Sequence, residues 1–189
     1  MMIVRVTVPA RILTATIVLI AAAVAVCAQD AAAIDRAVKA LDLIRPTGAP
    51  RPRDFTLPLT NGEPFRLIEH RGTVVLVNFW ATWCEPCKRE MPELERLWRD
   101  RRERGLLVLA VSVDTDSTVV APFLAKQKFT FPVALDPRGE VGKQFGARAL
   151  PTTSILGPDG ALAAFAYGPR RWDGKASLDL IDALRARSP

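Results

Sequence analysis

The sequence predicts an α/β fold in a single domain, and three observations carry that reading. The apolar run Val74-Val75-Leu76-Val77-Asn78-Phe79 has the length of a buried strand and leads through Trp80-Ala81-Thr82-Trp83 into a helical stretch from Lys88 to Arg104. Strand and helix patterns then alternate from residue 106 to residue 145, as parallel strands joined by crossover helices require. Last, two strand patterns meet at the turn Pro158-Asp159-Gly160 and are followed by one more amphipathic helix.

Taken in order, 30–44 reads as a short helix with Ile34, Ala37, Val38, Leu41 and Ile44 on one side. Residues 45–53 hold three prolines and a glycine and read as an extended linker. Phe55-Thr56-Leu57 and Pro64-Phe65-Arg66-Leu67 flank Asn61-Gly62, a hairpin signal. Strands are expected at 74–79, 106–113, 131–135, 152–156 and 161–167, and helices at 88–104, 119–128 and 140–145. Asp173 is placed to cap a last helix carrying Leu178, Ile181 and Leu184. No internal repeat is evident. The domain reading is therefore 1–28, 29–53 (short helix and Pro/Arg linker) and 54–189.

The first segment is a targeting element. Arg5 and Arg11 precede an uncharged, alanine-rich run from Ile12 to Ala28, with the small-residue pattern Val26-Cys27-Ala28 near its end. The run is short beside the roughly 20 apolar residues of a spanning helix. An export signal cleaved after Ala28 is the first reading, an uncleaved membrane anchor the second, and lipid attachment at Cys27 the third.

The 189 residues carry a formal charge of +6, and losing Arg5 and Arg11 leaves +4. The basic residues are scattered, and those at 99–104 are interrupted by Asp100 and Glu103 near a helix end. With no aromatic interleaving, nothing marks a nucleic-acid surface; acidic redox partners stay open. Removal of Cys27 leaves Cys84 and Cys87 as the only thiols, which suits an oxidising compartment where spare thiols mispair.

Trp83-Cys84-Glu85-Pro86-Cys87 carries the chemistry. Two intervening residues let both sulfurs meet at a helix start, where unpaired N–H groups and the helix dipole favour thiolate on the first cysteine. Zinc would need two further ligands, and the chain has a single histidine and no second C-x-x-C. A purely structural disulfide closing so small a loop would constrain the unfolded chain little. A reversible dithiol/disulfide couple is the reading that remains, with the Cys84–Cys87 pair itself as the redox group and no other cofactor.

From about Asp54 to Arg187 the chain resembles the TlpA/ResA-like thioredoxins. The resemblance rests on Asp54-Phe55-Thr56-Leu57, the run from Val74 to Trp83, Cys84-Glu85-Pro86-Cys87, Glu90-Met91-Pro92 and Leu150-Pro151-Thr152-Thr153. It implies a thioredoxin fold with an N-terminal β-hairpin extension and an extra helix inserted between central strands. It also implies a thiol–disulfide oxidoreductase in the bacterial periplasm or on the outer face of the cytoplasmic membrane. Clients would be proteins with disulfides or paired thiols, of the cytochrome c maturation type, and a membrane thiol transporter would resupply electrons. In that reading Cys84 is the exposed nucleophile, Cys87 the buried resolving thiol, and Glu90 handles protons; Asn78, standing where thioredoxin has an aspartate, cannot titrate. Glu85 and Pro86 tune the couple, Glu85 by a charge that opposes the dipole and disfavours thiolate. Pro151 is the cis-proline facing the cysteines, Leu150 offers its backbone to the client, and Trp83, with Trp80 as either a flanking or a core residue, shapes access. Pro92 kinks the helix, and His70 is a solvated loop residue.

Other classes compete for the same residues. The peroxidatic pattern P-x-x-x-T-x-x-C is absent: counting back from Cys84 its places hold Ala81 and Val77, and from Cys87 they hold Cys84 and Trp80. An oxidase or isomerase would use the same pair. Two thiolates also suit Cu(I), but copper chaperones use C-x-x-x-C with a distant histidine, unlike His70.

Overall fold

A computed structural model describes residues 29–187. Residues 1–28, read above as an export signal or anchor and including Cys27, lie outside them. Residues 29–40 are helical (α1). A small antiparallel hairpin follows, β1 (Thr56–Pro58) with β2 (Pro64–Arg66). The main sheet contains β3 (Val74–Trp80), β4 (Leu106–Ser112), β5 (Val133–Leu135), β6 (Thr152–Leu156) and β7 (Leu162–Tyr167). Its order is β5-β4-β3-β6-β7. β3, β4 and β5 run parallel, β6 pairs antiparallel with β3, and β7 pairs antiparallel with β6. The helices are α2 (Glu85–Arg101), α3 (Val120–Leu124), α4 (Glu140–Gln144) and α5 (Lys175–Arg185). This is the thioredoxin fold, with the hairpin added before it and α3 added between β4 and β5.

β3 shows why the sequence folds this way. Every residue of it is buried, so the strand reads as continuously apolar, yet its pleat divides the side chains between two cores. Val74, Leu76 and Trp80 join α1, α2 and α5 on one face, with Ile34, Met91, Leu94, Ile181 and Leu184. Val75, Val77 and Phe79 meet the hairpin on the other, with Phe55, Leu57 and Phe65. Asn78 has the parity of the first face, and so points toward α2.

Several local expectations shift. The hairpin turns through Leu59–Glu63, with Leu59 N–H donating to Glu63 C=O at 2.8 Å, rather than through a two-residue Asn-Gly loop. The helix expected at 88–104 begins at Glu85, because Cys84 caps it and Pro86 needs no hydrogen-bond acceptor in the first turn. Pro92 lies inside it, and the helix continues to Arg101. The helix expected at 119–128 stops at Leu124, since the chain must turn to bring stacked Phe129 and Phe131 (5.3 Å) to the core. Asp173 does not cap α5. Gly174 occupies that position, and Asp173 instead accepts from Arg96 Nε at 2.9 Å, tying α5 to α2. His70 is half-buried and stacked on Phe65 at 4.7 Å instead of solvated. Trp80 is core, fully buried against Phe123.

Residues 44–51 run beside β7. Ile44 bridges Phe165, Leu162 N–H donates to Pro50 C=O at 2.8 Å, and Arg51 pairs with Asp159 at 3.0 Å. Among the described residues no helix is long and apolar enough to cross a membrane.

Candidate functional site

The site lies at the carboxyl ends of β3 and β4, where loops leaving parallel strands converge. Asp114, just past β4, shapes the loop that leaves β3. Its carboxylate accepts from Thr82 N–H at 2.9 Å, from Thr82 Oγ1 at 2.7 Å and from Ser112 Oγ at 2.7 Å. That loop delivers Trp83 and Cys84 to the start of α2.

Cys84 and Cys87 form a disulfide with Cα atoms 5.3 Å apart. Cys84 is the N-cap of α2, and its Sγ accepts from Cys87 N–H at 3.3 Å. The sulfur therefore sits at the positive end of a 17-residue helix, the environment that lowers a thiol pKa. Cys87 is wholly buried, and Cys84 is only 4% exposed, less than the resemblance implies, because its sulfur is bonded to that of buried Cys87. Cys84 still opens on a groove of about 590 Å³ shared with Trp83, Pro86, Val113 and Leu150. Trp83 stands 71% exposed at its edge. Glu85 pairs with Lys88 at 2.6 Å, which holds its carboxyl below the usual range and offsets its charge beside Cys84.

The register of β6 brings the other wall into place. Thr152 lies beside Phe79, so the preceding Leu150–Pro151 peptide, which is cis, sits at the same end of the sheet as the cysteines. Leu150 and Cys84 line one groove.

Glu90 lies three residues beyond Cys87 on α2 and is 3% exposed. Its Oε1 accepts from Asn78 Nδ2 at 2.7 Å. Its Oε2 accepts from Trp172 Nε1 at 3.1 Å and from Arg170 N–H at 3.2 Å. Donors from β3 and from the loop after β7 thus meet on one carboxyl of α2. Burial outweighs those donors and pushes its pKa up to about 7. Asn78 also donates to Thr153 Oγ1 at 2.9 Å, while its buried Oδ1 has no partner among the described residues. A carboxyl that exchanges a proton near neutrality can serve a neighbouring thiol.

Sequence reasoning singled out Glu90 but missed its partners Arg170 and Trp172, and missed Asp114. An acidic residue directly after an apolar parallel strand was the available signal for Asp114. Nothing local marks Trp172, some 80 residues from Glu90. Among the described residues no group of three or more His, Cys, Asp or Glu side chains is placed to hold a metal ion.

The family model described as the AhpC/TSA family matches residues 48–165, more than half of the chain. The chain belongs to the AhpC/TSA family. Within it, the chain is similar to the thiol-disulfide oxidoreductase ResA of Oceanobacillus iheyensis, 39% identical over 103 residues that cover 54% of each protein. The thioredoxin-like protein YneN of Bacillus subtilis is 37% identical over 132 residues, 67% of this chain and 76% of YneN. The chain spans about 54 to 66% of the length of the ResA relatives it matches. The crystal structure of StoA from Bacillus subtilis superimposes with a TM-score of 0.58 at 26% identity, over 70% of this chain and 96% of StoA. A thioredoxin-family thiol:disulfide interchange protein from Chlorobium tepidum shares the fold, with a TM-score of 0.65 at 23% identity over 74% of this chain and 99% of that one. The ResA-like resemblance is thus borne out for this AhpC/TSA-family chain.

Proposed function

We propose that this protein is an exported thiol–disulfide oxidoreductase that reduces the disulfides of envelope client proteins. The carrying observation is the Cys84–Cys87 disulfide at the N-terminus of α2, opening on a groove lined by Leu150 and Trp83. The relatives named thiol-disulfide oxidoreductases support it, and the charged and apolar segments of residues 1–28 support export.

In the reduced protein the Cys84 thiolate attacks one sulfur of a client disulfide. A Cys84–client disulfide forms, and the client's second sulfur leaves as a thiolate. Cys87 then gives its proton to the Glu90 carboxylate, and its sulfur attacks Cys84 Sγ. The Cys84–Cys87 bond forms, the remaining client sulfur leaves as a thiolate, and two electrons have passed to the client. Leu150, next to cis-Pro151, has backbone N–H and C=O groups that enter no hydrogen bond within the described residues, and they receive an extended client segment by strand pairing. Pro86 keeps the first turn of α2 free of an N–H competing for Cys84. A membrane thiol donor returns the pair to the dithiol. Clients of the cytochrome c maturation type fit this chemistry.

The test is the equilibrium reduction potential of the Cys84–Cys87 pair in a dithiothreitol redox buffer. A value below about −230 mV supports a reductant, and one between about −180 and −120 mV makes the protein an oxidase or isomerase instead.

A further inference from the structure

The groove beside Cys84 carries an electrostatic signature that the redox chemistry does not use. α4 and the loop after it form its far wall and bring Lys143 and Arg148 to its lining. Their placement is built in: Asp136, buried just past β5, accepts from Glu140 N–H at 3.0 Å and Gly142 N–H at 2.9 Å and so anchors α4. Both cationic side chains are exposed, and neither has an ion-pair or hydrogen-bond partner among the described residues. The carboxylates nearby are already engaged, Glu85 by Lys88 at 2.6 Å and Glu140 by Arg138 at 2.9 Å. Arg89, on the exposed side of α2, adds to the positive field at Glu85. The groove therefore presents an apolar floor, a single reactive sulfur and two cations without an ion-pair partner among the described residues, beside Glu85 held by Lys88.

We infer that the groove selects clients whose target cysteine lies in an extended segment bearing acidic residues, with Lys143 and Arg148 receiving those carboxylates while Trp83 and Leu150 cover the apolar neighbours. Resting on the oxidoreductase reading, this names the client class of the same site. Opposite charges at a groove rim raise encounter rates and set register more than they add affinity. The exposed cations are screened by salt, so the selectivity is strongest at low ionic strength.

The experiment uses the purified, reduced protein and three peptides with one internal disulfide, identical except for the two residues after the target cysteine: Asp-Asp, Ser-Ser or Lys-Lys. Each rate of disulfide reduction is divided by that of dithiothreitol on the same peptide, which removes the intrinsic effect of charge on the disulfide. The expected result is a normalised preference of about tenfold for the acidic over the neutral peptide, the low end of electrostatic steering, with the basic peptide slowest. That preference falls to about twofold or less at about 1 M salt, where the screening length is about 3 Å. In the Lys143→Gln/Arg148→Gln double variant the acidic-to-neutral ratio falls likewise at low salt, with cooperative thermal unfolding confirming the fold. An acidic-to-neutral ratio of one or below, or a ratio the double variant leaves in place, overturns the inference. Reduction of none of the three peptides overturns the oxidoreductase reading itself, and is told apart because the neutral peptide fails too.

Discussion

Replacing Glu90 by Gln separates the charge of this buried carboxyl from its shape. Glu90 titrates at about 7 in the fold and at 4.5 when unperturbed, because burial penalises the carboxylate more than Asn78, Trp172 and Arg170 stabilise it. Below the unperturbed value both folded and unfolded chains hold the proton, and the group costs nothing. As pH rises past 4.5 the unfolded chain releases its proton first, and stability falls until the folded carboxyl also ionises at about 7. At about 1.4 kcal/mol per pH unit, the interval corresponds to about 3 kcal/mol lost across that window. The glutamine of the E90Q variant keeps the volume of protonated Glu90. If the Asn78 amide rotates, its Oδ1, now without a partner, accepts from the new amide, while the glutamine oxygen still accepts from Trp172 and Arg170. His70, held below its usual value by burial, contributes the opposite slope, with stability lost as pH falls through the window below 6.5. The difference between wild type and E90Q cancels that contribution. The assay is urea denaturation of both oxidised proteins at about pH 5, 6, 7 and 8. E90Q should lie within about 1 kcal/mol of wild type at about pH 5 and exceed it by roughly 3 kcal/mol at about pH 8. A constant difference across that range would refute the assignment of a near-neutral, buried carboxyl to Glu90.

The same variant should reduce disulfides about 100-fold more slowly at pH 7 in single turnover while still forming the mixed disulfide, because in the proposed mechanism only the Cys87 step loses its base. Asp114→Ala removes the acceptor of Thr82 N–H, Thr82 Oγ1 and Ser112 Oγ, and should cost about 3 kcal/mol in denaturant unfolding, along with a slower reaction at Cys84. Gly160→Ala should destabilise by about 1–2 kcal/mol in the same assay. Gly160 has φ of 75°, and a Cβ there would fall 0.9 Å from Arg71 Nη1, displacing the guanidinium that donates to Asp159 C=O at 2.7 Å.

Much of this protein is legible along the chain because its determinants are local. The apolar length of β3, the cysteine spacing, the Pro158-Asp159-Gly160 turn and the period of α5 each depend on residues within one or two turns of one another. The cysteine pair and Glu90 share one helix, so their proximity needs nothing beyond helical geometry. Where local cues fail, a distant partner decides. Asp173 has the chemistry of a helix cap, but Arg96 on α2 claims its carboxylate. The pattern of α3 is helical to residue 128, but the core's demand for Phe129 and Phe131 ends it at Leu124.

By itself the sequence determined the α/β class, the cysteine pair at a helix start and the charge imbalance of the chain. Only the tertiary structure decided that Glu90 is buried, since its neighbours Asn78, Arg170 and Trp172 come from β3 and from the loop after β7. It alone placed Lys143 and Arg148 on the groove that Cys84 opens into. Burial and electrostatic fields are sums over neighbours in space, and residues far apart in the chain become neighbours only when the sheet order brings their loops to one end.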